Sequence, residues 1–223
     1  SVADAGAAVG MPDLVGAEPL FGRTVAAAGD VNGDGFGDVV VLSNGGLALY
    51  LGSDTGLATR PFRSIAVSGP TSNASAAGLG DVNGDGFGDV VYAASGRASV
   101  LLGGDEVVRG ISTTPLAAPS TCAGVFGAST AAAGDVDGDG AADIVVGCPD
   151  LSPVAPVDGR AYVFFGNGDG RTVFTSTPIT RPMATTGTPS TFGYIVAGVG
   201  DLDGDGRADV AVAEHDRPVT LTT

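Results

Sequence analysis

One acidic, glycine-spaced segment, written four times, constrains this chain more than any other feature. GDVNGDGFGDVVV (29–41), GDVNGDGFGDVVY (80–92), GDVDGDGAADIVV (134–146) and GDLDGDGRADVAV (200–212) keep a single pattern. Their leading aspartates, Asp30, Asp81, Asp135 and Asp201, stand 51, 54 and 66 residues apart. Units recurring at such a period stack on their neighbours to bury a shared core, which predicts a propeller or a solenoid.

The flanks repeat with the segment. Before it runs a stretch of small residues, TVAAAG (24–29), SAAGLG (75–80), STAAAG (129–134) and YIVAGVG (194–200). After it comes a β-branched run such as DVVVL from Asp38 or DIVVG from Asp143. A third apolar run follows a glycine turn: GLALYLG (46–52), GRASVLLGG (96–104) and GRAYVFFG (159–166). RSIAVS (63–68), a weaker stretch over 108–116 and RTVFTST (171–177) lie between units. Short runs rich in Val and Thr and bounded by Gly or Pro read as strands, and no helical periodicity competes. The chain is therefore expected to be all-β, with each unit a propeller blade of about four antiparallel strands. The small residues of the first run suit the innermost strand, which crowds its neighbours near the axis. The expected blades are 20–70, 71–120, 121–186 and 187–223, all in one domain. The last stops after about its third strand (217–223), and residues 1–19, through 7–15, offer a strand to complete it.

Within each segment, positions 1, 3, 5 and 9 carry oxygen-bearing side chains and position 6 is glycine. These are Asp30, Asn32, Asp34 and Asp38; Asp81, Asn83, Asp85 and Asp89; Asp135, Asp137, Asp139 and Asp143; and Asp201, Asp203, Asp205 and Asp209. Alternating residues converge on one point only where the chain curls, which glycine permits. Hard anionic oxygens without His or Cys favour Ca²⁺ over transition metals, and Mg²⁺ demands a smaller, more regular shell. About four calcium ions are expected, held more tightly where four aspartates serve than where one is replaced by Asn. An EF-hand needs Glu at position 12, where Val41, Tyr92, Val146 and Val212 stand. A metal-free Asp/Gly turn would leave four clusters of carboxylates repelling one another.

Charge sharpens this. The net charge is −15, there is no Lys, and ten Arg are scattered without a run, which argues against nucleic acid. Of 25 acidic residues, 14 lie in the four loops, three in each of the first two and four in each of the last two. Four Ca²⁺ would offset more than half of that net charge. Despite a mean hydropathy of +0.30, no stretch of about 18 uncharged apolar residues exists, so no membrane span is expected. The start at Ser1 shows no basic and apolar leader, which implies one removed or never made. The only histidine, His215, has no Ser or Cys motif beside it, and no carboxylate pair or phosphate cradle is recognisable, so no enzyme is expected. Asn73-Ala74-Ser75 forms a glycosylation sequon.

Three of the loops are preceded by Phe-Gly nine residues upstream, at Phe21, Phe126 and Phe192. The third unit reads FGASTAAAGDVDGDGAADIVVGCP (126–149) and then GRAYVFFG. Over residues 20–221 the chain resembles the FG-GAP repeats of integrin α-subunit propellers and of many secreted bacterial proteins. The resemblance implies a calcium-binding β-propeller in which the position-7 carbonyl, at Phe36, Phe87, Ala141 and Arg207, joins the ligands. It also implies that Phe-Gly and Gly-Ala-Pro, here Gly147-Cys148-Pro149, pack together. That packing would bring Cys122 beside Cys148 as a disulfide, with two buried free thiols as the alternative. The second unit has Ser72-Asn73 in place of Phe-Gly, and three units lack the Gly-Ala-Pro element. Looser blade ends are expected in those three, and the extra residues after Pro149 in the third read as a surface loop.

Family propellers usually have seven blades against four here, so three closures stand open: a four-bladed ring, a partner chain completing a larger ring, or a piece of a longer protein. The function implied is a non-catalytic module at the cell surface, secreted or periplasmic, where calcium is plentiful, contacting a protein or glycan. The alternative is an assembly module, a homodimer whose blades complete a ring.

Overall fold

The computed structural model describes residues 22–67, 73–104, 113–151, 158–168, 174–181 and 190–215. Among them are fourteen strands and no helix. The first unit contributes β1 (Thr24–Gly29), β2 (Asp38–Ser43), β3 (Gly46–Tyr50) and β4 (Arg63–Ala66). The second contributes β5 (Ser75–Gly80), β6 (Asp89–Ala94), β7 (Arg97–Leu101) and β8 (Thr113–Leu116). The third contributes β9 (Thr130–Gly134), β10 (Asp143–Cys148), β11 (Arg160–Phe165) and β12 (Thr175–Thr180), and the fourth β13 (Ile195–Gly200) and β14 (Asp209–Ala213). Each unit is one antiparallel meander in sequence order, giving sheets of four, four, four and two strands, consistent with propeller blades.

Every acidic loop is the turn of the first hairpin in its sheet, and each hairpin carries a bulge at the same place. Gly29, Gly80, Gly134 and Gly200 pair with Asp38, Asp89, Asp143 and Asp209 across a register shift. All four glycines have φ between +72° and +79°, a region that excludes most side chains, so the glycine before each loop is required by the bulge. The bulge fixes where the strand ends and the loop begins, and with it which aspartate faces inward.

The sheets stack face to face through their first strands, β1 on β5, β5 on β9 and β9 on β13. Ala28, Val31, Val40 and Leu42 of the first sheet pack with Ala76, Val90 and Leu101 of the second. Val82, Val91 and Val100 of the second pack with Ile144, Tyr162 and Phe164 of the third, and Ala133 and Val145 of the third with Val196, Val210 and Val212 of the fourth. Small residues line the first strands because the backbones nearly touch. A Cβ added at Gly78 or Gly198 would strike the carbonyl of Ala27 or Ala132 in the preceding sheet. Val41, Ala48 and Tyr50 form a separate buried cluster on the face of the first sheet turned away from the second. β1 and β13 do not pack on each other as the other first strands do.

The outermost strands fall within the expected runs where these are described. β12 begins at Thr175 inside the run 171–177 and continues past it to Thr180, and β8 takes the described end of 108–116; residues 108–112 and 171–173 lie outside the described residues. Both contain proline, Pro115 and Pro178, which the outer edge of a sheet tolerates because no further ladder needs the missing N–H. The expected closing strands, 217–223 and 7–15, lie outside the described residues, as do Phe21, Ser72 and most of the loop after Pro149.

In the third unit Gly127 N–H donates to the Gly147 carbonyl at 2.9 Å and Val125 N–H to that of Pro149 at 3.0 Å. Phe126 is buried against Tyr162 and Phe164, with ring centroids 6.5 and 5.9 Å away. Beside this contact the sulfurs of Cys122 and Cys148 are 2.02 Å apart, with Cα atoms 6.0 Å apart. A bridge over this sequence separation of 26 residues limits the unfolded chain and stabilises by about 3 kcal/mol. Replacing both cysteines with Ser is therefore expected to lower Tm by roughly 6–12 °C. Two reactive thiols in the unfolded, unreduced wild-type chain would contradict the bridge.

Candidate metal centre

Each loop is held by its own backbone. In the first, Asp30 Oδ1 accepts from the N–H groups of Gly33 and Asp34 at 2.7 and 3.1 Å, and Oδ2 from Gly35 at 2.7 Å. Asp34 Oδ1 in turn accepts from Phe36 N–H at 2.9 Å. The position-1 carboxylate gathers the same three donors in every other loop, at Asp81, Asp135 and Asp201. The position-5 carboxylate likewise takes the position-7 N–H at Asp85, Asp139 and Asp205. Four curls of one geometry follow from one sequence pattern.

Position 9 anchors the loop to its sheet. Asp38, Asp89 and Asp143 are all at most 1% exposed. Asp89 Oδ2 accepts from Val82 N–H and Oδ1 from Gly103 N–H, both at 2.8 Å. Asp38 makes the same pair of bonds with Val31 and Gly52, and Asp143 with Val136 and Gly166. Burial pushes the carboxyls of Asp89 and Asp143 up to about 6 against the pull of these hydrogen bonds, and the neighbouring aspartates add to the rise. Asp38 moves in the same direction for the same reason. A carboxylate so placed gains from a nearby cation.

In the third and fourth loops the structure brings three of the expected donors, at positions 1, 3 and 9, within reach of one another; the position-5 aspartates are not in these groups, and no such group of carboxylates forms among the described residues of the first two loops. Oxygens of Asp135, Asp137 and Asp143 lie within 4.8 Å of one another, and so do those of Asp201, Asp203 and Asp209. In the first two loops Asn replaces the position-3 aspartate, and its amide donates to position 5, Asn32 to Asp34 at 2.8 Å and Asn83 to Asp85 at 3.0 Å. An all-oxygen set of this kind, on a loop already curled by its own N–H groups, fits a hard divalent cation of calcium's size. At position 7, Phe36, Phe87, Ala141 and Arg207 are placed by their N–H groups.

The family model for the FG-GAP-like repeat matches at 30–92, 81–146 and 147–212, an unbroken run that includes all four loops. The chain belongs to the FG-GAP-like repeat family. Among curated proteins it is similar to Integrin alpha pat-2 of Caenorhabditis briggsae, 40% identical over 89 residues, which is 40% of this chain and 7% of that protein. It is also similar to Integrin alpha-PS2 of Drosophila melanogaster, 31% identical over 152 residues, 60% of this chain and 11% of that one. Integrin alpha-IIb of Homo sapiens is 33% identical over 163 residues, 60% of this chain and 15% of that one. The matches thus span well under a quarter of these relatives' lengths.

FG-GAP loops in this chain are joined to one another, a feature that reading them singly does not give. The position-8 N–H of each loop donates to the position-1 carbonyl of the loop before: Gly88 to Asp30 at 2.8 Å, Ala142 to Asp81 at 3.3 Å and Ala208 to Asp135 at 2.7 Å. A second strut runs from two or three residues beyond the third strand to the position-2 carbonyl of the loop before, Gly104 to Val31 at 2.8 Å and Asn167 to Val82 at 3.0 Å. The traces in sequence are the small residue at position 8 and the glycine ending the third strand's run, Gly52, Gly103 and Gly166. His215 lies away from the loops, its ring 5.6 Å from that of Tyr194.

Proposed function

We propose that this chain is a non-catalytic, calcium-stabilised FG-GAP propeller module that acts outside the cytosol and presents its loops to a protein or glycan. The observation that carries the reading is the fourfold recurrence of one preorganised, all-oxygen loop whose inward carboxylates lack a cationic side chain partner among the described residues. Calcium would be held by the aspartates at positions 1, 3, 5 and 9, with Asn32 and Asn83 at position 3 of the first two loops, and by the position-7 carbonyls. Its part is to neutralise those groups and tie each loop closed. A disulfide between Cys122 and Cys148 suits an oxidising compartment. Loops borne on a rigid β scaffold suit recognition, and the likeness to integrin α chains favours a macromolecular partner over a small substrate.

Calorimetric titration of chelator-stripped protein tests the calcium reading. Calcium is expected to bind about four sites in roughly the 10⁻⁵–10⁻³ M range, the two four-aspartate loops filling first, and magnesium far more weakly. Because Asp89 and Asp143 prefer the proton below about 6, affinity falls as pH drops through that value. Absence of binding at several millimolar calcium would end the proposal.

A further inference from the structure

We propose that Arg207 of the fourth blade is a built-in counter-ion of the third loop, steadying that loop without metal and competing with calcium for it. The first three loops are each covered at position 4 by a later part of the chain, and each in a different way. A Cβ added at Gly33 would meet the ring of Phe87 at 2.5 Å, and one added at Gly84 would meet the carbonyl oxygen of Gly168 at 2.7 Å. At Gly138 of the third loop the added atom would lie 3.5 Å from Nε and 3.9 Å from Cζ of Arg207. A ring and a peptide group are neutral, whereas a guanidinium is charged at any working pH.

The cation falls on the most crowded of these three loops. The first two have three aspartates each, and the position-3 amide already donates to the position-5 carboxylate, Asn32 to Asp34 and Asn83 to Asp85. The third has four, and Asp137 replaces that amide with a carboxylate oxygen within 4.8 Å of those of Asp135 and Asp143. Its own residues, DVDGDGAAD (135–143), include no amide or cationic side chain. Relief by a side chain has to come from outside the loop.

The backbone holds Arg207 in place for this. Its N–H donates to Asp205 Oδ1 at 2.9 Å, and the next N–H, of Ala208, donates across the seam to the Asp135 carbonyl at 2.7 Å. The guanidinium rests over the backbone at Gly138 without an ion pair to a carboxylate, so it acts through space. Such an effect is modest and is screened by salt. Its sign is fixed. A positive charge is drawn more strongly to four bare carboxylates than to the same four around a divalent cation, so Arg207 favours the empty loop and weakens calcium binding there. The competition rests on the calcium reading above, whereas the hold on the empty loop does not.

In EDTA at low ionic strength, Arg207→Gln is expected to lower Tm by about 2–4 °C, and by about half as much in saturating calcium. Calcium should bind one site about two- to threefold more tightly in the variant, and about 0.5 M KCl should erase most of both effects. Arg207→Lys should restore the wild-type values. Because Arg207 also belongs to the fourth loop, a double-mutant cycle in EDTA locates its action. Asp137→Asn with Asp139→Asn should remove at least about half of the Arg207→Gln penalty, while Asp203→Asn with Asp205→Asn should leave most of it. A penalty unchanged in the first background, or reduced more in the second, overturns the proposal. A wild-type chain that binds no calcium overturns the metal reading and the competition with it, and the cycle in EDTA then judges the counter-ion alone.

Discussion

Chelation of calcium is expected to lower the melting temperature by about 15 °C or more. A ligand bound only by the folded state stabilises it by about 2.7 kcal/mol per site at a hundredfold excess over Kd. Three or more filled sites supply roughly 8 kcal/mol, comparable with the whole stability of an ordinary domain. At about 2–4 °C per kcal/mol for a chain of this size, the shift follows. Two features raise the effect above a simple sum. The loops sit on the seams, so loosening the curl around Asp30 also disturbs the carbonyl that Gly88 grips. Emptying the sites also restores repulsion among the 14 loop aspartates in a chain of net charge −15. Scanning calorimetry in millimolar calcium, in EDTA and in magnesium checks this. The expected order is calcium well above magnesium, and magnesium near EDTA. Equal melting in calcium and EDTA would remove the structural role while leaving the family assignment untouched.

The first two loops show what was legible in the sequence and what was not. GDVNGDGFGDVV occurs at 29–40 and again at 80–91. What depends on the loop's own residues is identical in both: the curl around position 1, the Asn amide to position 5 and the buried position-9 aspartate. Strand periodicity and loop chemistry are local, so they could be read in advance. What depends on a neighbouring blade differs although the letters do not. Phe36 is 40% exposed, while Phe87 lies over Gly33 of the preceding loop. Asn32 is half-buried and Asn83 buried, and Gly37 is open where Gly88 is crowded. Seam hydrogen bonds use backbone groups that every residue carries, so only a small residue at position 8 betrays them. The far end of the outer strand β12, which runs to Thr180 past the expected 177, was hard to place, because an edge strand with a proline in it carries little alternation.

Among single substitutions, Asp89→Asn and Asp143→Asn are expected to cost the most, about 3–5 kcal/mol, or roughly 6–20 °C in Tm. The position-9 carboxylate is acceptor-only, and backbone N–H groups converge on both its oxygens: Val82 and Gly103 for Asp89, Val136 and Gly166 for Asp143. An amide can accept from only one of them and turns its own NH₂ toward the other, leaving buried donors face to face. Part of the cost is therefore independent of metal and should persist in EDTA. Asp203→Asn removes a position-3 side chain that is exposed and is already Asn in the first two loops. It should matter only through calcium, and its small deficit should vanish in chelator. Asp209→Asn should fall between, since Asp209 is half-buried and keeps the bond from Leu202 N–H at 2.8 Å. Comparing the three substitutions with and without calcium separates the carboxylate's work as a backbone anchor from its work as a ligand. If Asp89→Asn and Asp203→Asn lose the same stability in both conditions, the anchor role is wrong and position 9 is simply one ligand among several.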